Sequence, residues 1–251
     1  MMARLSVNLN KIALLRNARR TGVPDLAGFA RAVHTAGAHG ITVHPRPDER
    51  HIRRADIAAL AEVIAPWRPG FEFNIEGFPD ADFLALVETV QPEQVTLVPD
   101  APGVLTSEEG WRLSGQTAAL VAAAVARLHR WRCRVVLFVD PDSAAVAPAR
   151  AVGADAIEIY TGGYAAAFRA GDAQAARAAC AATARAAAAL GMAVNIGHDL
   201  NLDNLPPLLA ALPAVAEASI GHELTADALV LGWAGAVAMY RDTLAAQTPA
   251  G

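Results

Sequence analysis

Three histidines hold most of the chemistry this sequence can offer, and each stands where a short apolar run stops. The run Gly40-Ile41-Thr42-Val43 ends at His44, and Pro45 and Pro47 then oppose both further strand pairing and a helix. The loop that follows carries Arg46, Arg50 and His51. His198 follows Val194-Asn195-Ile196-Gly197, and His222 follows Ala218-Ser219-Ile220-Gly221. Imidazole titrates near neutrality, so a histidine at a strand end suits repeated proton exchange, and the arginines beyond His44 suit a bound phosphate. Carboxyl groups stand in matching places. Glu76 closes the apolar run 71–75, and Glu158 alternates with Ile157 and Ile159, which turns it away from them to the other face of its strand. A carboxyl among apolar neighbours has its pKa raised into the range useful for proton transfer. Each group also has a plainer reading: a buried histidine, an exposed strand terminus, a structural ion pair. Their recurrence at strand end after strand end favours chemistry.

The elements that must position these groups repeat one pattern eight times. A short apolar run meets a polar or glycine-containing joint, and a longer Ala/Leu-rich amphipathic segment follows. The pattern predicts strands over 4–8, 41–44, 71–76, 94–98, 135–140, 156–160, 193–196 and 218–220. It predicts helices over 25–36, 55–65, 80–90, 107–130 (one helix, or two broken near Gly115), 143–152, 173–190, 202–212 and 226–246. Gly37, Gly70, Pro92, Gly153, Gly191 and Pro213 fall just before strands, as helix stops would. Strands alternating with helices call for a parallel sheet, and eight units close it into an α/β fold of the (β/α)8 TIM-barrel type with extra helices, one domain spanning 1–251. The rival is an open doubly wound sheet, but no G-x-G-x-x-G follows the first strand and no P-loop occurs.

A barrel gathers its active site at the C-terminal ends of its strands. That places Asn8, Asn10, Lys11, His44, Glu76, Asp100, Asp140, Glu158, Tyr160, His198, Asp199, Gly221 and His222 around one mouth. The stretches 11–24 and 98–107 read as long loops there, and long loops in compact domains are often functional. Arg16, Arg19 and Arg20 lie in the first of them, either as a solvated face or as a phosphate clamp. Gly162-Gly163 and Gly221-His222 offer backbone amides to a phosphate.

Composition excludes several classes. With 251 residues, 54% of them hydrophobic, the chain can bury one large core. A net charge of −4 provides no basic field for a nucleic acid, and no aromatic-interleaved basic tract occurs. The Ala-rich stretch 173–190 is interrupted by Arg177 and Arg185, which rules out a membrane span there. Cys133 and Cys180, far apart and outside any C-x-x-C pair, fit a reducing compartment. No secretory signal pattern is present, so a soluble cytoplasmic protein is expected.

The longer motifs are more specific. Val7-Asn8-Leu9-Asn10, Leu15-Arg16-Asn17-Ala18-Arg19, Gly40-Ile41-Thr42-Val43-His44-Pro45-Arg46 and Arg50-His51-Ile52 resemble the pyridoxine 5′-phosphate synthase family. The likeness continues through Phe73-Asn74-Ile75-Glu76-Gly77, Leu97-Val98-Pro99, Ile157-Glu158-Ile159-Tyr160-Thr161-Gly162, Val194-Asn195-Ile196-Gly197-His198 and Ile220-Gly221-His222, in family order over nearly the whole chain. The resemblance implies a (β/α)8 barrel assembled as a homo-octamer. It implies condensation of 1-deoxy-D-xylulose 5-phosphate with 3-amino-2-oxopropyl phosphate to pyridoxine 5′-phosphate, phosphate and water, with neither metal nor organic cofactor. By the same resemblance His44 and Glu76 are general bases, His198 a proton donor and Glu158 a transition-state stabiliser. Asn8 and Arg19 contact the aminoketone phosphate, Arg46, His51 and Thr106 the sugar phosphate, and Asp199, Gly221 and His222 belong to a second phosphate-binding region.

The sequence departs from the family pattern at two places. Many members have Asp-His where this chain has Asn10-Lys11, and glycine where it has Asp199. Lys11 can attract phosphate but cannot act as a neutral imidazole. A carboxylate at 199 repels phosphate unless it is paired or points elsewhere. Two other readings of the same residues stay open: a non-catalytic phosphometabolite-binding barrel, and a metal-dependent barrel hydrolase or isomerase using His44, Glu76, Glu158, His198 and His222. No H-x-H or H-E-x-x-H occurs, and arginines disfavour a nearby cation.

Overall fold

The apolar runs form eight parallel strands that hydrogen-bond in sequence order and close, β8 pairing with β1. In the computed structural model, which describes residues 2–100 and 109–246, they are β1 (Arg4–Asn8), β2 (Gly40–Val43), β3 (Glu72–Gly77), β4 (Gln94–Leu97), β5 (Arg134–Val139), β6 (Ala156–Tyr160), β7 (Ala193–Gly197) and β8 (Glu217–Ile220). Around them, among the described residues, run α1 (Asn10–Asn17), α2 (Leu26–Thr35), α3 (Arg54–Ile64), α4 (Ala81–Val90), α5 (Gly115–Arg130), α6 (Val146–Ala151), α7 (Gly162–Arg169), α8 (Gln174–Ala189), α9 (Leu205–Leu209), α10 (His222–Leu231) and α11 (Trp233–Ala245). This is the (β/α)8 barrel with extra helices that the alternation implies. No described helix is long and apolar enough to cross a membrane.

Strand alternation divides the residues between two cores. Leu5, Val7, Ile41, Val43, Phe73, Ile75, Ile157 and Ile159 are fully buried, beneath the surrounding helices. Each such side chain contributes about 1.5–3 kcal/mol by leaving water. The alternate positions face inward and are unusually polar. Near the N-terminal ends Arg134 reaches Glu72 at 2.7 Å and Glu217 at 4.0 Å, while Gln94 donates to Glu217 at 2.9 Å. One layer up, Ser6 and Thr42 share a hydrogen bond of 2.7 Å, and Asn74 bridges Thr42 and Thr96 at 3.3 and 3.1 Å. The third layer opens into the candidate site.

Four expectations are corrected. The stretch 11–24 is not simply a loop, because Asn10–Asn17 is helical and buries Ile12, Ala13 and Arg16. The expected helix 226–246 is two helices, α10 and α11, parted at Gly232, whose φ of 73° stops the first. Gly162 and Gly163 begin α7, a helix that the alternating pattern did not predict. The described part of the expected helix 107–130 begins only at Gly115, preceded by extended Ser114. Thr106 lies outside the described residues.

Candidate active site

The strand ends converge on a cavity of about 530 Å³ lined by Asn8, Asn10, Lys11, His44, Arg46, Arg50, His51, Glu76, Glu158, His198, Asp199, Gly221 and His222, with Phe138, Tyr160 and Ser219 between them. A neighbouring cleft of about 500 Å³ shares His44, Arg46 and Arg50 but contains neither Glu76, Glu158 nor His198. The first cavity therefore gathers the candidate acid–base groups. Of the residues expected at the site, Arg19 stands apart: it is exposed two residues beyond α1 and does not line the cavity. Arg16 also departs from expectation. It is 8% exposed and gives both arms of its guanidinium to Asp56, at 2.5 and 2.9 Å, so it is a structural ion pair rather than a phosphate clamp.

Two histidine–carboxyl pairs face each other across the cavity. His44 Nδ1 lies 3.8 Å from Glu76 Oε2, both almost wholly buried. His198 Nδ1 lies 3.9 Å from Glu158 Oε1. Neither distance is a hydrogen bond, and a shift of about 1 Å would turn each into one. Burial, then Arg46, holds His44 well below the usual histidine range. His51 is pushed down to about 4, again by burial first and Arg46 second. His198 is also lowered, chiefly by burial, with Asp199 opposing. All three imidazoles are thus neutral at pH 7.

The carboxyl groups move the other way. Burial and the charge of Asp100 raise Glu76, Arg46 and an Asn8 hydrogen bond pull it back, and it titrates at about 7. Glu158 is raised well above the carboxylate range by burial, then by Glu76 and Glu217. A carboxyl poised at neutrality beside a neutral imidazole is a reversible proton carrier.

Backbone and hydrogen bonds fix these groups. Asn8 Oδ1 accepts from the Asn10 amide at 2.9 Å, and Asn10 Oδ1 accepts from the His44 amide at 2.9 Å, tying the ends of β1 and β2. Asparagine at position 10 therefore has a structural use. The Ile52 amide donates to His51 Nδ1 at 2.9 Å, which leaves the proton of the neutral ring on Nε2 as a donor. His198 and Asp199 have φ of 59° and 56°. That left-handed turn explains the glycine many family members carry at 199, and aspartate, tolerant of the conformation, can replace it. Thr161 Oγ1 donates to the His198 carbonyl at 2.8 Å and Asn204 Nδ2 to that of Asp199 at 3.0 Å, holding the turn. Phe138 and Tyr160 pack on the His198 ring at centroid distances of 5.1 and 5.6 Å. A Cβ at Gly197 would lie 2.7 Å from Glu158 Oε1, so glycine there seats the carboxyl.

Lys11, Arg46 and Arg50 form a basic arc with His51, and Gly221 caps the N-terminus of α10 at the same cavity, where helix amides favour an anion. Among the described residues no three His, Cys, Asp or Glu side chains converge as a metal site would require. The acid–base groups are instead two separate pairs.

A (β/α)8 barrel with two histidine–carboxyl pairs and basic residues lining one cavity has the make-up of an acid–base enzyme. Residues 5–246 match the family model described as pyridoxal phosphate biosynthesis protein PdxJ, and the chain belongs to that family. It is 51% identical over 243 residues to a pyridoxine 5′-phosphate synthase of Chelativorans sp., covering 96% of this chain and 98% of the relative. It is 52% identical over 246 residues to one of Brucella abortus, covering 98% and 100%. Among solved structures it resembles a thiamine phosphate pyrophosphorylase from Pyrococcus furiosus, with a TM-score of 0.59 and 13% identity over 97% of this chain and 95% of that one. A phosphoribosyl anthranilate isomerase from Thermotoga maritima gives 0.56 and 12%, covering 97% and 98%. Likeness at that identity speaks for the barrel alone.

Proposed function

We propose that this chain is a pyridoxine 5′-phosphate synthase, condensing 1-deoxy-D-xylulose 5-phosphate with 3-amino-2-oxopropyl phosphate to pyridoxine 5′-phosphate, phosphate and water. The observation that supports it is the facing of His44–Glu76 and His198–Glu158 across one cavity with a basic arc, in a member of this family. Joining an amine to a ketone and closing an aromatic ring requires several proton transfers and the loss of water and phosphate. Glu76 and neutral His44 take protons during imine formation and tautomerisation. His198 protonates the leaving oxygen and is recharged by Glu158, whose buried carboxyl holds its proton more tightly than an ordinary carboxyl and also steadies the charge that passes through the ring. Arg46, His51 and Lys11 receive the sugar phosphate; Asn8, Gly221, His222 and the turn at Asp199 receive the aminoketone phosphate.

On the same proposal, the whole chain acts as one cytoplasmic barrel domain within a homo-octamer. Leu229 and Val230, 80% and 86% exposed at the end of α10, are the apolar surface such assembly would cover. The test is direct. The purified chain, mixed with both substrates, yields pyridoxine 5′-phosphate at the same rate with and without a chelator. Failure to form it while phosphate binding persists would point to a non-catalytic binding barrel.

A further inference from the structure

Asp100 is a carboxylate at the edge of the candidate site, lining the neighbouring cleft beside Arg46 and Arg50. It is 7% exposed, and its Oδ2 accepts a hydrogen bond of 2.8 Å from Arg46 Nη1. Arg46 is 8% exposed and lines the cavity beside Lys11, Arg50 and His51. A guanidinium that deep needs an anionic partner, because an unpaired buried charge is strongly unfavourable. Carboxylate and phosphate satisfy the guanidinium fork in the same way, through oxygens accepting its N–H groups. Asp100 takes one of the five N–H groups of Arg46, so a phosphate on the same guanidinium would lie close to the Asp100 charge.

We propose that Asp100 is an internal competitor for phosphate at Arg46. Before a ligand binds, it holds the guanidinium in place. A phosphate that arrives at Arg46 meets the Asp100 carboxylate as a close like charge, so the site binds anions less tightly than its basic residues would otherwise allow. A reaction that releases inorganic phosphate gains from this, since a strong anion trap would retain its own product. The inference rests on the function proposed above for the identity of that anion. Asp100 also acts on the acid–base groups, for its charge adds to burial in raising Glu76, while Arg46 lowers it. A purely structural ion pair makes the opposite prediction: loss of the carboxylate would let Arg46 wander and weaken anion binding.

The experiment uses the full chain and inorganic phosphate, titrated calorimetrically. Asp100→Asn keeps the size and an acceptor oxygen but removes the charge. It should bind phosphate about tenfold tighter, as relief of a close like-charge contact implies. Asp100→Ala should show the same gain if the asparagine variant folds poorly. In an Arg46→Gln background the substitution should give no gain. Where turnover is present, the acid limb of kcat/KM in Asp100→Asn should move to lower pH, because Glu76 loses a negative neighbour. Phosphate affinity unchanged or weaker in a folded variant would overturn the proposal. Phosphate binding needs no turnover, so a wild-type chain that makes no pyridoxine 5′-phosphate would count against the proposed function alone.

Discussion

Glu76 titrates at about 7 because it is buried beside Asp100, and this single value links rate to stability. On the proposed mechanism it works ionised as a general base, so kcat/KM should rise with pH through an apparent pKa near 7. Glu76→Gln should lower turnover by about 10²–10⁴-fold while phosphate binding stays intact, as loss of a general base implies. Unchanged turnover would remove Glu76 from the mechanism. The stability effect has a definite sign. A carboxyl raised from 4.5 to about 7 stabilises the fold below its unfolded pKa, and that contribution is lost as pH climbs through 7. Glu76→Gln removes the titration, so the variant should gain on wild type by about 2–3 kcal/mol between pH 5 and pH 8.5, at about 1.4 kcal/mol for each tenfold change in proton affinity. Melting curves at the two pH values would check this. Both carboxyls of the candidate site were legible in the sequence, since Glu158 alternates with isoleucines and Glu76 closes an apolar run. Asp100 was visible only as a strand-end residue, because its pairing with Arg46 spans 54 positions and depends on closure of the barrel.

At the scale of elements, α1 does more than connect β1 to α2. Asn17 Nδ2 donates to the carbonyls of His51 at 2.8 Å and Arg50 at 3.0 Å, and Arg16 Nη2 donates to that of His51 at 3.1 Å. Asp56, near the start of α3, completes the clamp by accepting from Arg16 and from the Arg53 amide. The loop that carries Arg50 and His51 into the cavity is therefore held by its backbone, which fixes where those side chains meet a ligand. We expect Asn17→Ala to raise the KM for the sugar phosphate about tenfold, by loosening that loop, while the KM for the aminoketone phosphate barely changes. A general loss of folding would raise both and lower the melting temperature, so an equal rise in the two constants would count against the clamp. This helix escaped the sequence reading for a physical reason. It has eight residues, begins with Asn10-Lys11 and buries an arginine, so its apolar face comprises little beyond Ile12 and Ala13. The longer helices were readable because their apolar stripes persist for several turns. The break at Gly232 was not, since apolar residues continue on both sides of it.

Across the whole molecule, the barrel is closed around polar groups that satisfy one another. The N-terminal end is the sharpest case: Glu72 and Glu217, 4% and 2% exposed, flank one arginine, Arg134. Burial, followed by the nearby Glu72, pushes Glu217 up to about 8, while Arg134 and a Gln94 hydrogen bond restrain it. Arg134 is thus the cation that lets two buried carboxyls share the barrel floor. Its removal cannot be read as the loss of a surface ion pair, although the arginine itself is partly solvated. Arg134→Met should cost about 2–3 kcal/mol at neutral pH, somewhat below a fully buried pair because of that solvation. The cost should depend on pH with a fixed sign. Without the cation Glu217 titrates higher still in the folded state, so the fold keeps its stability while that carboxyl is protonated and loses more of it as pH rises. Urea unfolding at pH 5.5 and 8.5 would therefore separate the variant from wild type mainly at the higher pH. A loss equal at both values would mean that Arg134 acts through packing of its aliphatic stem, and that the charges on the barrel floor are balanced by Arg4, 3.7 Å from Glu72, instead.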